Sequence, residues 1–383
     1  MNSKHEYIVT SSRLNDIVSH CQTKSVVAID TEFARFKTYY PIVGLIQIYD
    51  GQFCYLIDPL EIDDISSLAR LMDDRSVTKV FHACSEDLEV LKHSIDAIPD
   101  PVFDTQIAAA MLGVGYSISY QSVIEHYLSV RIPKDETRSD WLMRPLTGAQ
   151  LEYAALDVIH LLEVYEIQGQ MLKRDNKTAW VEQECGQLPL GIATQMKPED
   201  YYHRVKNTFH LDRRQLGLLK SLCAWRENKA RQIDVPRNRI VEEKSLFLIA
   251  QQSLKDKNAF QELAKISPRQ LRKYGSDLES VVDESHRVPE HELPPLLERS
   301  VSPISSKTLK VLKKIVGIKA EEHSVVPEML ARRRHLEQLL RSVNDQGQYS
   351  LPIDLSGWRK EIIGDELLKA LSRNEKDIQL ELK

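Results

Sequence analysis

The chain has 383 residues, of which 42% are hydrophobic and 28% are charged, with a formal net charge of −5. This composition is typical of two or three globular domains, and it excludes a wholly disordered chain and a collagen-like repeat. No apolar run approaches the roughly 18 residues that cross a bilayer, and the N-terminus lacks the layout of a signal peptide. Five scattered cysteines without a C-x-x-C pair argue against disulfides or a thiolate zinc site, so we expect a cytoplasmic protein.

The charge is distributed unevenly along the chain. Residues 1–170 carry 13 Lys+Arg against 25 Asp+Glu, a balance of −12, whereas residues 203–280 carry 17 against 9, a balance of +8. The acidic half is either a solvated surface or a carboxylate-lined site that holds cations. The basic block either binds a polyanion or merely has a basic exterior. The charge balance alone does not decide between the two interpretations of either region.

The first 170 residues alternate strand and helix signals. Apolar, β-branched runs predict strands over 25–30, 44–49, 53–57 and 77–81, with Asp50-Gly51 as a hairpin turn. A hairpin followed by strand–helix alternation indicates an α/β domain with a mixed sheet flanked by helices. Helices are predicted over 62–72, from Ser85 as the cap, over 105–112 and 120–128, and from the capping box at Thr147 to about 188.

Beyond residue 203 the pattern is helical. Amphipathic spacing predicts helices over 211–231, 244–252 and 268–274, and a proline-rich interval at 283–306 reads as a linker. Further helices are predicted over 306–315, 327–343 and 365–373. We therefore expect an α/β domain at 1–190 and two helical domains at 203–282 and 300–383.

Two carboxylates mark the end of the first predicted strand. Asp30 and Glu32 are two residues apart, so on an extended backbone their side chains point to the same face. Carboxylates aimed together repel unless a cation lies between them, and hard oxygen ligands suit Mg²⁺ or Mn²⁺. A lone D-x-E pair also occurs by chance, so the interpretation needs further acidic residues.

Two later stretches supply such residues. Asp87 follows the predicted strand at 77–81, near the carboxyl ends of strands where open α/β sheets gather their sites. Tyr153 and Asp157 are four apart, so a helix places the phenol and the carboxylate on one face. Asp157 lies beside an apolar stripe, where a carboxylate needs a partner, and a metal ion is one candidate.

The order of these residues resembles the DEDD superfamily of 3′→5′ exonucleases, in its tyrosine-containing branch. Three stretches narrow the resemblance to the ribonuclease D family, and residues 215–249 are similar to the helical HRDC module. The resemblance covers residues 7–249 and is weaker over 300–383. The three stretches are D-T-E-F-A-R-F-K-T-Y-Y-P at 30–41, V-F-H-A-C-S-E-D-L at 80–88, and R-S-D-W-L-M-R-P-L at 138–146 followed by Q-L-E-Y-A-A-L-D-V at 150–158.

The resemblance implies a ribonuclease H-like α/β exonuclease domain followed by two all-α HRDC-type domains. It implies hydrolysis of RNA from the 3′ end to nucleoside 5′-monophosphates, with tRNA precursors or other small structured RNAs as substrates. Two divalent ions, Mg²⁺ or Mn²⁺, are expected on Asp30, Glu32, Asp87 and Asp157. Tyr153 is expected to orient the attacking water, because a phenol with a pKa near 10 is a poor base at neutral pH.

Five further residues are candidates for RNA contact. Phe33 can stack on the terminal base or belong to the core, and Arg138 can meet phosphate or form a salt bridge. In the basic block the candidates are Arg226, Arg231 and Arg237, which alternatively only solvate the helical domain.

Two other functions stay open at this point. A DNA exonuclease of the proofreading or Werner type shares the metal site, and a catalytically silent nucleic-acid-binding protein shares the fold. The intact set of four carboxylates and one tyrosine argues against the silent protein. A monomer is the default state, since no coiled-coil heptad is evident, and no membrane partner is expected.

Overall fold

The computed structural model places the chain in two compact units. The first unit comprises the described parts of Met1–Phe33, Val43–Ala193 and Ser300–Lys383, and the second those of Ala34–Ile42 and Thr194–Arg299. No helix among the described residues is long and apolar enough to cross a membrane. The structure describes residues 4–132, 139–194, 196–297 and 303–372.

The first unit is built on a six-stranded mixed sheet with the strand order β1-β4-β3-β2-β5-β6. Strands β3 and β4 pair antiparallel as a hairpin, whereas β1 with β4, β2 with β5, and β5 with β6 pair parallel. The mixed sheet and the hairpin at Asp50-Gly51 are as the sequence predicts. The strands are β1 His5–Ile8, β2 Val26–Ala34, β3 Ile42–Tyr49, β4 Cys54–Ile57, β5 Thr78–Phe81 and β6 Val102–Asp104.

Helices cover both faces of this sheet, in the order expected from alternating strand and helix signals. The first five, in chain order, are α1 Ser11–Cys21, α2 Leu68–Met72, α3 Ser85–Ile95, α4 Thr105–Met111 and α5 Tyr120–Leu128. The next three are α6 Gly148–Ile159, α7 Leu161–Arg174 and α8 Thr178–Ala193.

Side chains alternate between the two faces of the sheet along each strand, and this alternation explains how a layer of helices packs on each face. In β2, Val27 and Ile29 are fully buried against the layer that contains α1 and α3, whereas Ala28 faces the layer of α6 and α7. The same alternation in β3 sends Ile46 to the first layer and Leu45 to the second. Successive side chains of a strand point to opposite faces, so a strand buried on both sides reads as a continuous apolar run.

The C-terminal helices pack on the sheet domain within the same unit. Trp358 stacks on Trp180 of α8 with ring centroids 4.8 Å apart, and an Arg359 nitrogen lies 2.8 Å from a carboxylate oxygen of Glu184. The Lys177 ammonium donates to the carbonyl oxygens of Met111 and Ser324, 2.9 Å from each. These helices are α14 Pro303–Glu322, α15 Pro327–Leu330, α16 Arg333–Arg341 and α17 Asp365–Ser372, with a 3₁₀ turn at Ile353–Leu355 and a π turn at Lys360–Gly364 before the last.

Apart from Ala34–Ile42, the elements of the second unit are helical over its described residues, and the unit has its own apolar core. It opens with 3₁₀ turns at Pro198–Arg204 and Thr208–His210 and includes another at Glu290–Glu292. Its helices are α9 Arg213–Gln232, α10 Arg237–Ile240, α11 Glu243–Gln252, α12 Lys257–Glu262 and α13 Pro268–Arg287.

Several predicted boundaries differ from the structure. Strand β1 and helix α1 are absent from the prediction, and the helix expected over 62–72 spans only Leu68–Met72. Helix α8 continues through Pro189 to Ala193, beyond the predicted helix end near residue 188. Helix α13 continues to Arg287, through the start of the linker predicted over 283–306. Local signals locate an element better than they locate its ends.

Candidate active site

The second half of β2 directs three consecutive polar side chains to two faces of the sheet. Asp30 and Glu32 share the parity of Ala28, which faces the layer of α6 and α7. Thr31 shares the parity of Ile29, which faces the layer of α3. The alternation predicted from the D-x-E spacing therefore aims both carboxylates at α6.

Helix α6 supplies the next two side chains. Its start is fixed by a capping box in which the Thr147 hydroxyl accepts from the Gln150 amide and the Gln150 side chain accepts from the Thr147 amide. Tyr153 and Asp157 then follow four residues apart on one face of the helix. This cap is present as predicted, and it sets the phase of the helix that carries both residues.

Asp30, Glu32 and Asp157 form one carboxylate cluster, whose ligand oxygens all lie within 4.8 Å of one another. Burial raises the pKa of Asp30, and the charges of Asp87 and Asp157 raise it further. Burial, followed by the charges of Asp157 and Asp87, raises the pKa of Glu32 to about 9. Burial raises the pKa of Asp157 to about 7 against a hydrogen bond from Tyr153. The cluster therefore holds more negative charge than its surroundings offset.

Asp87 approaches this cluster from the other helix layer. It lies in the first turn of α3, is 7% exposed and accepts a 2.6 Å hydrogen bond from the Thr31 hydroxyl. Burial raises the pKa of Asp87 to about 6, and the Thr31 bond acts in the opposite direction. Asp87 is outside the three-residue cluster, although its charge acts on Asp30 and Glu32.

Tyr153 is buried beside the cluster with its hydroxyl toward Asp157. Burial raises its pKa above the ordinary value, and the charges of Asp157 and Glu32 with a hydrogen bond to Asp157 raise it further. The phenol is therefore neutral across the physiological range. Its ring packs near Trp141, with centroids 6.1 Å apart.

The segment before α6 is held by a buried ion pair. Arg144 donates to Asp58 with its Nη2 atom at 2.7 Å and to the carbonyl oxygen of Gly44 at 2.6 Å. A Cβ atom at Gly44 would lie 2.6 Å from the Trp141 carbonyl oxygen, so only glycine permits this close approach. Arg144 also donates to the Trp141 carbonyl oxygen at 2.8 Å, so it holds Trp141 beside Tyr153.

Three residues near the cluster were not singled out as site residues from the sequence. Thr31 binds Asp87, and Tyr120 is close enough to Asp157 and Asp30 for their charges to raise its pKa beyond the effect of burial. Asp104 accepts the backbone amides that shape the turn before α3. A polar residue on a buried strand face signals a need for a partner, as at Thr31, but no sequence pattern names that partner.

The predicted RNA contacts have mixed outcomes. Phe33 is half-buried and packs against the sheet core, so base stacking there stays a prediction. Arg138 lies outside the described residues. Arg226 is only 4% exposed and donates to the Val241 carbonyl oxygen, so its prediction as an RNA contact is wrong: its guanidinium lies inside the helical core.

Arg231 and Arg237 are bound to a buried acid of their own domain. Each donates to Glu227 at 2.9 Å, and the Tyr39 hydroxyl also donates to Glu227. Both guanidinium groups keep part of their surface exposed, 22% of the Arg231 side chain and 32% of the Arg237 side chain. An RNA role for these two arginines stays a prediction, beside an observed structural one.

Three family models match the chain. One described as a 3′-5′ exonuclease matches residues 5–173, an HRDC domain model matches residues 215–282, and a model of the C-terminal HRDC domain of ribonuclease D matches residues 303–367. The first match includes the four predicted metal-binding carboxylates and Tyr153. The third lies within residues 300–383, where the resemblance of the sequence to the family is weaker.

Similar proteins extend over nearly the whole chain. Ribonuclease D of Pseudomonas paraeruginosa is 41% identical, with 91% of this chain and 93% of the relative covered. Ribonuclease D of Escherichia coli is 36% identical, with 95% and 97% covered. The crystal structure of Escherichia coli RNase D, described as an exoribonuclease involved in structured RNA processing, matches with a TM-score of 0.89 over 97% of this chain and 99% of that chain.

Proposed function

The chain belongs to the ribonuclease D family and is a 3′→5′ exoribonuclease, and we propose that Asp30, Glu32, Asp87, Tyr153 and Asp157 form its active site. The observation that carries this proposal is the cluster of three carboxylates with oxygens within 4.8 Å. Like charges at this spacing are costly without a cation. Family membership decides against the DNA exonuclease and the catalytically silent protein that the sequence alone left open.

The donor set fits a divalent metal, and the exonuclease fold is metal-dependent. Every side chain in the cluster offers a carboxylate oxygen, the ligand type of Mg²⁺ and Mn²⁺. We assign Asp30, Glu32 and Asp157 to one ion, and Asp30 with Asp87 to a second. When bound, such ions promote deprotonation of a water and stabilise negative charge on the leaving oxygen of an in-line displacement.

Tyr153 acts in this proposal as a neutral hydrogen-bonding group. Its raised pKa keeps the proton on the phenol, so the hydroxyl orients the attacking water and does not remove its proton. The hydrogen bond to Asp157 and the packing against Trp141 fix the ring. A positioned phenol of this kind lowers the entropy lost on reaching the reactive geometry.

The reaction removes nucleotides from a 3′ end. Attack on the terminal phosphodiester leaves the phosphate on the departing residue, so the products are nucleoside 5′-monophosphates. We infer that the substrates are tRNA precursors or other small structured RNAs, because the Escherichia coli relative is described as acting in structured RNA processing. A monomer in the cytoplasm stays our expectation.

The mostly helical second unit is the best source of sequence-independent RNA contacts. Residues 203–280 carry a balance of +8, against −12 for residues 1–170. Because Arg226 is buried and Glu227 binds Arg231 and Arg237, the exposed cations are better candidates, such as Arg239 and Arg272. Replacing both with Glu should flatten the salt dependence of RNA binding by roughly 0.7–0.9 in slope per lost contact. An unchanged slope would rule them out.

A degradation assay tests the activity and its substrate together. The protein is incubated with 3′-tailed tRNA precursor, unstructured RNA and single-stranded DNA of equal length, each labelled at the 5′ end, with Mg²⁺ or with EDTA. We expect stepwise shortening of both RNAs with Mg²⁺, no shortening with EDTA, and slower attack on DNA. Equal rates on DNA would contradict the ribonuclease assignment, and an unaffected reaction in EDTA would contradict the metal site.

A further inference from the structure

We infer that Asp104 is a positioning residue, which holds the turn before α3 and thereby places Asp87 in the active site. The inference rests on the proposed function, in which Asp87 is a metal ligand. Asp104 itself does not touch the carboxylate cluster: it is the last residue of β6 and only 3% exposed.

The sheet brings Asp104 next to the end of the strand that leads to Asp87. Strands β5 and β6 pair parallel with Phe81 opposite Asp104, so both chains leave the sheet at the same edge. After Phe81 the chain turns through three residues and enters α3 at Ser85. The neighbouring strand β2 is parallel to β5 and carries the first two carboxylates of the cluster just beyond the level at which β5 ends.

The turn into α3 has an unusual backbone. Ala83 has φ of 59°, the left-handed region that a residue with a Cβ adopts only when its surroundings hold it there. Ser85, expected from the sequence to cap this helix, is instead its first residue, and the N-cap residue Cys84 makes no side-chain capping hydrogen bond. Another group must therefore fix this start.

The Asp104 carboxylate is that group. Its Oδ1 atom accepts from the Ala83 amide at 3.1 Å, and its Oδ2 atom accepts from the Cys84 amide at 2.9 Å. The same carboxylate caps α4, because Oδ1 also accepts from the amides of Gln106 and Ile107, at 2.8 Å and 3.3 Å. One buried carboxylate thus satisfies four amides and joins the starts of two helices.

This arrangement leaves Asp87 with two restraints. The first turn of α3 carries Asp87 three residues after Cys84, so the direction of that turn sets the position of the Asp87 Cα atom. The Thr31 hydroxyl then sets the orientation of its carboxylate through the 2.6 Å hydrogen bond. Groups that orient a metal ligand typically change metal affinity or activity by about 10–100-fold when they are removed.

Asp104→Asn tests the inference with little change of shape. An amide keeps the Oδ1 acceptor for Gln106, Ile107 and Ala83 but turns an NH₂ donor toward the Cys84 amide, so the variant removes the hydrogen bond from Cys84 alone. Asp104→Ser is the second variant: serine is a good N-cap for α4, and its shorter side chain does not reach residues 83 and 84.

A matched control is available in Asp50→Asn. Asp50 is also a buried carboxylate, 6% exposed, and it accepts the backbone amides of Gln52 and Phe53 at 2.8 Å and 2.7 Å. It lies between β3 and β4, in the hairpin turn, and has no part in the proposed site. It therefore reports the cost of losing a buried, amide-binding charge, together with the contacts that Asp50 makes with His20, Lys24 and Tyr55.

Three quantities are measured for each variant, well below its melting temperature: kcat and KM on a short RNA, and the affinity for Mn²⁺ by calorimetry. We expect both Asp104 variants to lose about 10–100-fold in kcat and in Mn²⁺ affinity. KM should stay within about twofold, because binding along the rest of the RNA is intact. Asp50→Asn should match the wild type in all three.

Asp87→Asn separates failure of this inference from failure of the proposed site. If Asp87→Asn is inactive and the Asp104 variants behave like Asp50→Asn, the positioning role is wrong and the proposed site stands. If Asp87→Asn is fully active, the proposed site itself is wrong at this residue. If one Asp104 variant does not fold, the other decides the question by the same comparison.

Discussion

Two groups of buried acids in this molecule have opposite electrostatic surroundings. In the helical unit, burial acts to raise the pKa of Glu227, but hydrogen bonds from Arg237, Tyr39 and Arg231 hold it below its usual range. In the sheet unit, burial and then the nearby charges of Asp157 and Asp87 together raise the pKa of Glu32 to about 9.

The contrast separates a structural acid from a functional one. Glu227 is 1% exposed and its charge is offset by two guanidinium groups of its own domain, so it needs nothing from outside. The cluster of Asp30, Glu32 and Asp157 has neighbours of the same sign, and a cation from solution is the natural partner. Unoffset charge at a strand end, and not acidity as such, marks the active site.

The largest expected effect comes from removing a ligand of the cluster. Asp30→Asn or Asp157→Asn should reduce kcat roughly 10³–10⁵-fold, because several kcal/mol of transition-state stabilisation depend on the bound ions. Glu152→Gln, an exposed acid on the same helix as Asp157, is the control and should retain full activity. Steady-state kinetics on a short RNA give the answer, and more than about a tenth of wild-type activity in either Asn variant would contradict the assignment.

The next effect concerns the tyrosine. Tyr153→Phe should lower kcat about 10²–10⁴-fold with little change in RNA affinity, because the hydroxyl acts on the water and not on the substrate. Tyr165→Phe, which removes a phenol from the neighbouring helix α7, should leave kcat unchanged. Single-turnover kinetics measure the catalytic rate, and filter binding measures RNA affinity. A fully active Tyr153→Phe would show that the hydroxyl has no catalytic role and that Tyr153 is only a core aromatic residue.

Removing the charge of Glu227, which is offset by two arginines, should lower the stability of the fold without changing kcat. Glu227→Gln leaves Arg231 and Arg237 without their carboxylate partner, and loss of one member of a buried ion pair costs about 3–5 kcal/mol. The exposed Glu262→Gln should stay within about 0.5 kcal/mol of the wild type. Urea unfolding followed by circular dichroism measures both, and equal stability of the two variants would show that the Glu227 ion pairs add nothing.

The smallest effect is a difference in pH dependence. The folded pKa of Glu32 lies above its ordinary 4.5, so in EDTA its contribution to stability is full below about pH 4.5 and is lost as the pH rises toward about 9. The pKa of Glu227 is lowered, so its contribution is present at neutral pH and is lost on acidification. From pH 5 to 8 the melting temperature in EDTA should therefore fall relative to the melting temperature in Mn²⁺. Parallel plots of melting temperature against pH in the two conditions would contradict repulsion among the cluster carboxylates in the metal-free protein.

Much of the site could be predicted because its signals are local. The D-x-E pair, the capping box before α6 and the four-residue spacing of Tyr153 and Asp157 follow from strand and helix periodicity. Strand β1 was missed because it is four residues long and only its last residue is fully buried. The role of Asp104 was out of reach, since it depends on which strands are neighbours in the sheet.

The burial of Arg226 could have been read from its spacing. Leu219, Leu222, Cys223 and Ala230 lie three, four or seven residues away on the apolar face of α9. Counting charges over a block ignores this periodicity, and so the arginine was assigned to the surface. The ion pairs of Glu227 with Arg231 and Arg237 fall at separations of four and ten residues, and only the first is visible as a helical pair.

Proton release on metal binding tests the central claim most directly. At pH 7 the Glu32 carboxyl, with a pKa of about 9, carries a proton that a bound cation must displace. Calorimetry of Mn²⁺ binding in two buffers of different ionisation enthalpy counts the protons released. The account predicts release from the wild type and weakened binding in Asp30→Asn and Asp157→Asn. Tight binding without proton release, or equal binding in these variants, would contradict it.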